Sequence, residues 1–267
     1  MRSASEGGRR GHAEDLRRIQ EALEAASKIL GSLRADGVRV EHKAGAGPVT
    51  DADRAVNELL ARVLPAEDEG WLSEESSDDA RRLGKRRVWA VDPLDGTREF
   101  LAGIPEWCVS VGLLEDGRAV AGGVANPATG EIFLGSLETG VTYNGREARV
   151  SSRRSLEGAV VLASRSEFDR GEWARFRGAS FEVRPVGSVA YKLALVAAGL
   201  ADATWTLVPK HEWDVAAGVA LVLAAGGSVQ GRDGGVLRFN QPRPLLAGLT
   251  AQPPALLSAV KRELGLP

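Results

Sequence analysis

Between residues 88 and 150 the chain breaks into five short apolar or alternating runs, VWAV, WCVSVGLL, AVAGGVAN, EIFLGS and GVTYNG, punctuated by Gly, Pro and Asn-Gly. Such runs are too short for helices, and tight-turn dipeptides between them dictate a mostly antiparallel sheet. A sheet must be covered, and the flanking segments supply the covers. Leu16, Ile19, Leu23, Ala26 and Leu30 recur at helical spacing and predict an amphipathic helix over 13–34. A second helix is expected after PVTDAD, with Thr50 as N-cap, Asp53 three residues on, and Val56, Leu59, Leu60 and Val63 as its apolar face before Pro65.

Beyond residue 155 the pattern alternates. AVVLASR and FEVRPV read as strands, SVAYKLALVAAG as a helix, ADATWTL as a strand, and WDVAAGVALVLAAGG as a helix ended by Gly226 and Gly227. SVQG and PLLAGLT complete a second sheet, and a last helix runs from about Pro254 to Leu264. The expected fold class is α/β, an α+β layered sandwich of two packed α/β halves. Residues 13–155 form a mostly antiparallel N-terminal half, and residues 156–267 an alternating C-terminal half, with helices between and outside the sheets. Residues 1–12, MRSASEGGRRGH, carry charge with no apolar core behind it, so a disordered leader is expected and not a signal peptide.

Charge and cysteine content narrow the partners. A formal charge of −2 without a dense basic cluster disfavours nucleic acid polymers. The single cysteine, Cys108, excludes an internal disulfide and a cysteine-cluster metal site, and within EWCVSVGLL it reads as a small buried residue. The longest apolar stretch, Val215 to Gly227, is too short to span a bilayer, so no membrane partner and a cytoplasmic location are expected.

Carboxylates stand where elements start or stop: Asp51 and Asp53 in PVTDAD, Glu74 and Glu75 in WLSEES, Asp92 and Asp95 in DPLDGT, and Asp214 in HEWDVAAG. Each alone has a structural explanation, as a capping box, a first-turn acid, an Asp-Gly turn or a solvated pair. Together, three of the groups adjoin Trp71, Trp89 or Trp213, which places them near buried structure where unpaired carboxylates are costly. Oxygen-only ligands suit a hard cation such as Mg²⁺. Pro93 fixes the backbone between Asp92 and Asp95 so that both side chains and the Leu94 carbonyl can point one way, as in a metal-bridging turn. Thr97, Arg98 and Glu99 then start a short helix whose free N–H groups near Gly96 and Thr97 suit a phosphate.

PVTDAD, SEES, WAVDPLDGT and EWDVAAG, in this order and at these separations, resemble the motifs of the inositol monophosphatase superfamily of magnesium-dependent, lithium-sensitive phosphatases. The resemblance implies two or three Mg²⁺ ions, with Glu74, Asp92 and the Leu94 carbonyl at the first and Asp92, Asp95 and Asp214 at the second. A third ion in the family also leans on Glu74. It implies further that Thr97 and Asp53 orient and deprotonate the attacking water, that the substrate is a small phosphate ester, and that a homodimer is the common assembly. SEES departs from the commoner glycine-glutamate-glutamate while keeping the first glutamate.

Within the superfamily, DGTREF, SRSE and the spacing of Lys43 from Pro48 look like the 3'(2'),5'-bisphosphate nucleotidase branch, which hydrolyses 3'-phosphoadenosine 5'-phosphate. The length of GSVAYKLALVAAG, with Lys192 one residue farther from Ser188, fits the inositol branch better. At the end of ADATWT the inositol branch places a glutamate on ring hydroxyls and the nucleotidase branch an arginine, whereas this chain has Thr206. Expected substrate contacts are Asp95, Gly96, Thr97, Gly187, Ser188, Lys192, Thr206 and Lys210, with His211 and Glu212 as alternatives or solvated loop residues. Inositol or sugar monophosphates are the alternative substrates, and a non-catalytic metal or nucleotide binder is the remote one.

Overall fold

The computed structural model of the protein describes residues 11–32, 39–42, 48–78 and 80–267. The first ten residues of the expected leader, the end of the first predicted helix and Lys43 lie outside them. The N-terminal elements are α1 (His12–Ser32), β1 (Val40–His42), β2 (Pro48–Thr50), α2 (Asp51–Val63), β3 (Gly70–Ser73), β4 (Arg87–Asp95) and α3 (Thr97–Leu101). Five strands follow: β5 (Cys108–Glu115), β6 (Arg118–Asn126), β7 (Glu131–Ser136), β8 (Gly140–Tyr143) and β9 (Arg146–Ala148). The rest comprises β10 (Val160–Ser164), α4 (Arg165–Asp169), β11 (Glu182–Val186), α5 (Val189–Ala197), β12 (Ala203–Thr206), β13 (Lys210–His211) and α6 (Glu212–Ala224). Last come β14 (Ser228–Gly231), β15 (Leu245–Leu246), β16 (Leu249–Gln252) and α7 (Leu257–Leu264). None of the described helices is long and apolar enough to cross a membrane.

Two sheets carry the fold. Strands β3 to β9 form a seven-stranded sheet in sequence order, antiparallel except where β3 runs parallel to β4. The second sheet is ordered β11-β10-β12-β16-β14, with β10, β11 and β12 parallel and the last two strands antiparallel. Side-chain alternation assigns each face. Trp89 and Val91 pack under α1 and α2, while Val88 and Ala90 face α5 and α6. On the second sheet Leu162 and Ala251 meet those same two helices from the other side, and Val161 and Trp205 turn outward to α7. The result is five layers, helix, sheet, helix, sheet, helix, in agreement with the layered α/β expectation.

Helix α6 lies against the first sheet through a pair of facing glycines. Gly112 and Gly122 are register partners, and a Cβ on either would stand 2.7 Å from the Ala217 nitrogen or 2.6 Å from its carbonyl oxygen. Only the absence of side chains there lets the helix backbone approach so closely.

Several local expectations are corrected. DPLDGT does not turn at Asp92. β4 continues to Asp95, with a register shift against β5 between Asp92 and Asp95, so a bulge and not a turn re-aims the two acids. PLLAGLT splits into β15, which pairs with β13, and β16, because Gly248 at φ +129° breaks the run. The leader expectation overshoots at His12, which opens α1 and is buried beside Glu115 and Glu138.

Candidate active site

The parallel pairing of β3 and β4 brings Ser73 opposite Val91, so two acids emerge at the same sheet edge, Glu74 just past β3 and Asp92 within β4. The third arrives from the other half. Asp214 sits in the first turn of α6, where its Oδ2 accepts the His211 N–H at 2.9 Å and closes a capping box. One carboxylate oxygen from each of Glu74, Asp92 and Asp214 lies within 4.8 Å of the others.

The electrostatics of this cluster are unfavourable without a cation. Burial, then the charges of Glu74, Asp95 and Asp214, push the Asp92 carboxyl well above the usual carboxylate range. Burial, then Asp95 and Glu74, do the same to Asp214. Three carboxylate donors, one buried, one half-buried and one exposed to the cleft, fit a hard divalent ion of the Mg²⁺ kind. Asp95 is oriented separately. Its Oδ2 accepts both the Ser188 hydroxyl at 2.6 Å and the Ala190 N–H at 2.7 Å at the start of α5. Ser188 holds that position at φ +52°, a conformation a non-glycine residue adopts at a cost, and one often associated with functional sites.

Beside the cluster, the proposed water-activating pair is in contact. Thr97 Oγ1 donates to Asp53 Oδ1 at 3.3 Å and also lies 3.1 Å from the Leu94 carbonyl oxygen. Burial raises the Asp53 pKa against the lowering effect of its hydrogen bonds to Thr50. The capping box anticipated for Thr50 and Asp53 is present as well, so one carboxylate serves both arrangements. Gly96, at φ +97°, precedes α3 with no side chain to cap it, which leaves the first-turn N–H groups facing the cleft.

The cleft that holds the acids is also lined by Ser164, Ser166, Gly187, Ser188, Lys192 and Lys210. Lys192 is 3% exposed and donates to the carbonyls of Val186 at 3.3 Å and Ser188 at 3.1 Å. Burial pulls its pKa down to about 8, Asp95 opposes that, and the charge of Lys210 lowers it further. Below that pH the lysine is protonated in folded and unfolded chains alike, and the folded state bears the full penalty of the buried charge. The penalty fades as pH rises toward the ordinary value of 10.5. Lys192→Met is therefore expected to stabilise the protein at pH 7 by about 1–2 kcal/mol, and not at all above about pH 10. Thermal melts at both values test this, and a variant that melts lower at pH 7 would contradict it.

Of the residues considered for substrate contact, Thr206 and Glu212 are not in the cleft lining, whereas Gly187 is. Thr206 is buried and does not reach the cleft, because its hydroxyl donates to Glu167 at 2.9 Å. Gly187 lines the cleft, but its N–H is donated to Glu106 Oε2 at 2.7 Å. Glu212 is fully buried and accepts the N–H groups of Asn240 and Gln241, so it is neither solvated nor facing substrate. His211 stacks on Trp213 with ring centroids 4.3 Å apart. Sequence reasoning missed Ser164, Ser166 and the Arg165–Glu106 ion pair at 2.7 Å. The available signal was the position of Ser164, Arg165 and Ser166 at the carboxyl end of β10, since residues at the carboxyl ends of parallel strands border ligand clefts.

Comparison with known proteins gives a consistent picture. The profile described as the inositol monophosphatase family matches residues 13–263. The chain is 35% identical over 258 residues to an inositol-1-monophosphatase of Mesorhizobium japonicum, covering 91% of this chain and 95% of that protein. It is 33% identical over 264 residues to Nus factor SuhB of Pseudomonas aeruginosa, covering 92% and 95%. Among solved structures, the extragenic suppressor protein SuhB from Bartonella henselae superposes with a TM-score of 0.80 at 31% identity, over 94% of this chain and 98% of that one.

Proposed function

The chain belongs to the inositol monophosphatase family of metal-dependent phosphatases, and from that membership we propose that it hydrolyses a small phosphate ester carrying a second anionic group, with 3'-phosphoadenosine 5'-phosphate as the leading substrate. The observation that supports this reading is the lysine pair. Lys192 and Lys210 line the same cleft as the acids, while Thr206, at the position expected to meet ring hydroxyls, is buried against Glu167. A second phosphate that remains on the product needs a cationic partner when it leaves water, and an inositol ring does not.

In this reading Glu74, Asp92, Asp95, Asp214 and the Leu94 carbonyl would hold Mg²⁺, which when bound would supply the positive charge that acidifies water and offsets charge on a departing oxygen. Asp53 takes the proton of the attacking water through or alongside Thr97, whose hydroxyl it accepts. The N–H groups at the start of α3, whose residues Thr97 to Glu99 line the cleft, receive the phosphate oxygens. Ser188 keeps Asp95 in place, and Lys192 and Lys210 hold the remaining anion.

Side-by-side kinetics test the substrate assignment. Catalytic efficiency for 3'-phosphoadenosine 5'-phosphate is expected to exceed that for inositol 1-phosphate by at least about tenfold, and Lys192→Ala is expected to erode the ratio by about 1–3 kcal/mol. Equal efficiencies, or a preference for the inositol ester, would overturn the assignment. Inositol 1-phosphate is the second reading, favoured by the activity for which the Mesorhizobium japonicum relative is named.

A further inference from the structure

We propose that Glu167 is a positioning residue that aims Lys210 at the second anionic group of the substrate and so sets selectivity without touching the substrate itself. This rests on the reading above that the cleft takes an ester with a second anion. Glu167 lies in α4, three residues past the end of β10, and is 4% exposed. A carboxylate so buried must be held by donors. Thr206 Oγ1 donates to its Oε1 at 2.9 Å, and Trp173 Nε1 to its Oε2 at 3.3 Å. Trp173 is itself fixed by stacking on Trp205, with centroids 5.3 Å apart and planes 15° from parallel. The carboxylate is thereby locked from two sides before any cation is considered.

Lys210 Nζ stands 3.7 Å from Glu167 Oε1. That distance is within ion-pair range and beyond a hydrogen bond, so the carboxylate holds the ammonium by charge while its three N–H donors stay available. The lysine occupies β13, at the rim of the cleft, and its side chain is 22% exposed. An untethered lysine there would sweep many rotamers and lose that freedom on binding. One already drawn toward a rigid carboxylate loses less. The charge of Lys210 bears on Lys192 deeper in the cleft, so two cations stand close enough to repel, an arrangement that an arriving anion relieves. Thr206 acquires a role too. Where the inositol branch places a carboxylate on the substrate, this chain places a hydroxyl that holds a carboxylate serving a cation.

The test is a double-mutant cycle with Glu167→Gln and Lys210→Ala, assayed with 3'-phosphoadenosine 5'-phosphate and with p-nitrophenyl phosphate, which has no second anion. Glu167→Gln keeps the side-chain shape and an acceptor for Thr206 while removing the charge. It is expected to raise KM for the bisphosphate about tenfold, to leave kcat within about twofold, and to leave p-nitrophenyl phosphate hydrolysis unchanged. Lys210→Ala is expected to raise KM for the bisphosphate by a similar factor, and the double variant is expected to show no further loss. Thr206→Val, which frees one side of Glu167, is expected to shift KM in the same direction by a smaller factor, and it supplies the reading if Glu167→Gln does not fold. A loss on the bisphosphate in Lys210→Ala but not in Glu167→Gln would overturn the positioning role alone. No loss in Lys210→Ala would overturn both this role and its use of the second anion. Equal losses on both esters, additive losses, or tighter binding in Glu167→Gln would each make Glu167 a structural or competing charge and sink the proposal.

Discussion

Asp92→Asn is expected to lower kcat by about 10³-fold or more while raising the melting temperature of the metal-free protein near neutral pH. The two effects have one cause. Asp92 is 2% exposed and faces the charges of Glu74, Asp95 and Asp214, which together with burial raise its pKa well above 3.8. A group whose folded pKa is raised stabilises the fold fully below its unfolded pKa and loses that contribution as pH rises through the folded value. As pH rises through that raised value the metal-free cluster becomes more repulsive, and deleting one charge relieves it. The relief should shrink as the pH is lowered through the raised Asp92 value, where the wild-type carboxyl takes up its proton. Catalysis requires the opposite, because Asp92 is the residue proposed to join both cation positions, and an amide brings no charge. Turnover should be measured together with melting curves in EDTA and in Mg²⁺. The wild type is expected to gain more from Mg²⁺ than the variant. A variant that keeps more than about a tenth of the wild-type rate would remove Asp92 from this role.

How far the sequence revealed this site depends on the scale of the signal. The acids were legible because each sits at or near the end of an element, and element ends are marked by caps, glycines and changes of period. Asp53 follows an N-cap threonine, Asp92 ends an apolar run, and Asp214 opens a long apolar helix. The layered architecture was legible for the same reason, since two-residue and 3.6-residue periods separate cleanly in this chain. The bulge between Asp92 and Asp95 was not, because a proline and a glycine in a loop-like stretch mimic a turn, while the strand partner that decides the matter, β5, lies farther along the chain. The substrate wall was obscured for a tertiary reason. Thr206 ends a strand in the expected place, but which way its hydroxyl points depends on Glu167, 39 residues earlier, and on Trp173 behind it. Likewise Glu212 reads as a loop acid until the N–H groups of Asn240 and Gln241 are folded onto it.

Asp53→Asn is the second large effect expected, and it separates two tasks that share one carboxylate. Oδ2 of Asp53 accepts the Thr50 N–H at 2.7 Å and the Thr50 hydroxyl at 2.5 Å, which closes the N-terminal cap of α2. Oδ1 accepts the Thr97 hydroxyl at 3.3 Å and so faces the proposed attacking water. An asparagine retains one carbonyl oxygen, and the cap, with two donors converging on it, claims that oxygen. The amide left toward Thr97 can neither accept its hydroxyl proton nor take one from water. Stability should therefore change by no more than about 1 kcal/mol, the scale of a weakened cap, while kcat falls by about 10²–10³-fold, the scale of a lost general base. Burial has raised the Asp53 pKa, and only the ionised form can accept a proton. Wild-type activity should accordingly decline as pH falls through that raised value, and the residual activity of Asp53→Asn should lack this acidic limb. Thr50→Val gives the complementary case. It removes the hydroxyl that accepts the Ala52 and Asp53 N–H groups, so it should cost about 1 kcal/mol of stability and leave kcat within a few-fold. If Thr50→Val loses as much activity as Asp53→Asn, the placement of α2 matters and not the proton acceptor. If Asp53→Asn keeps its acidic limb, the base is another group.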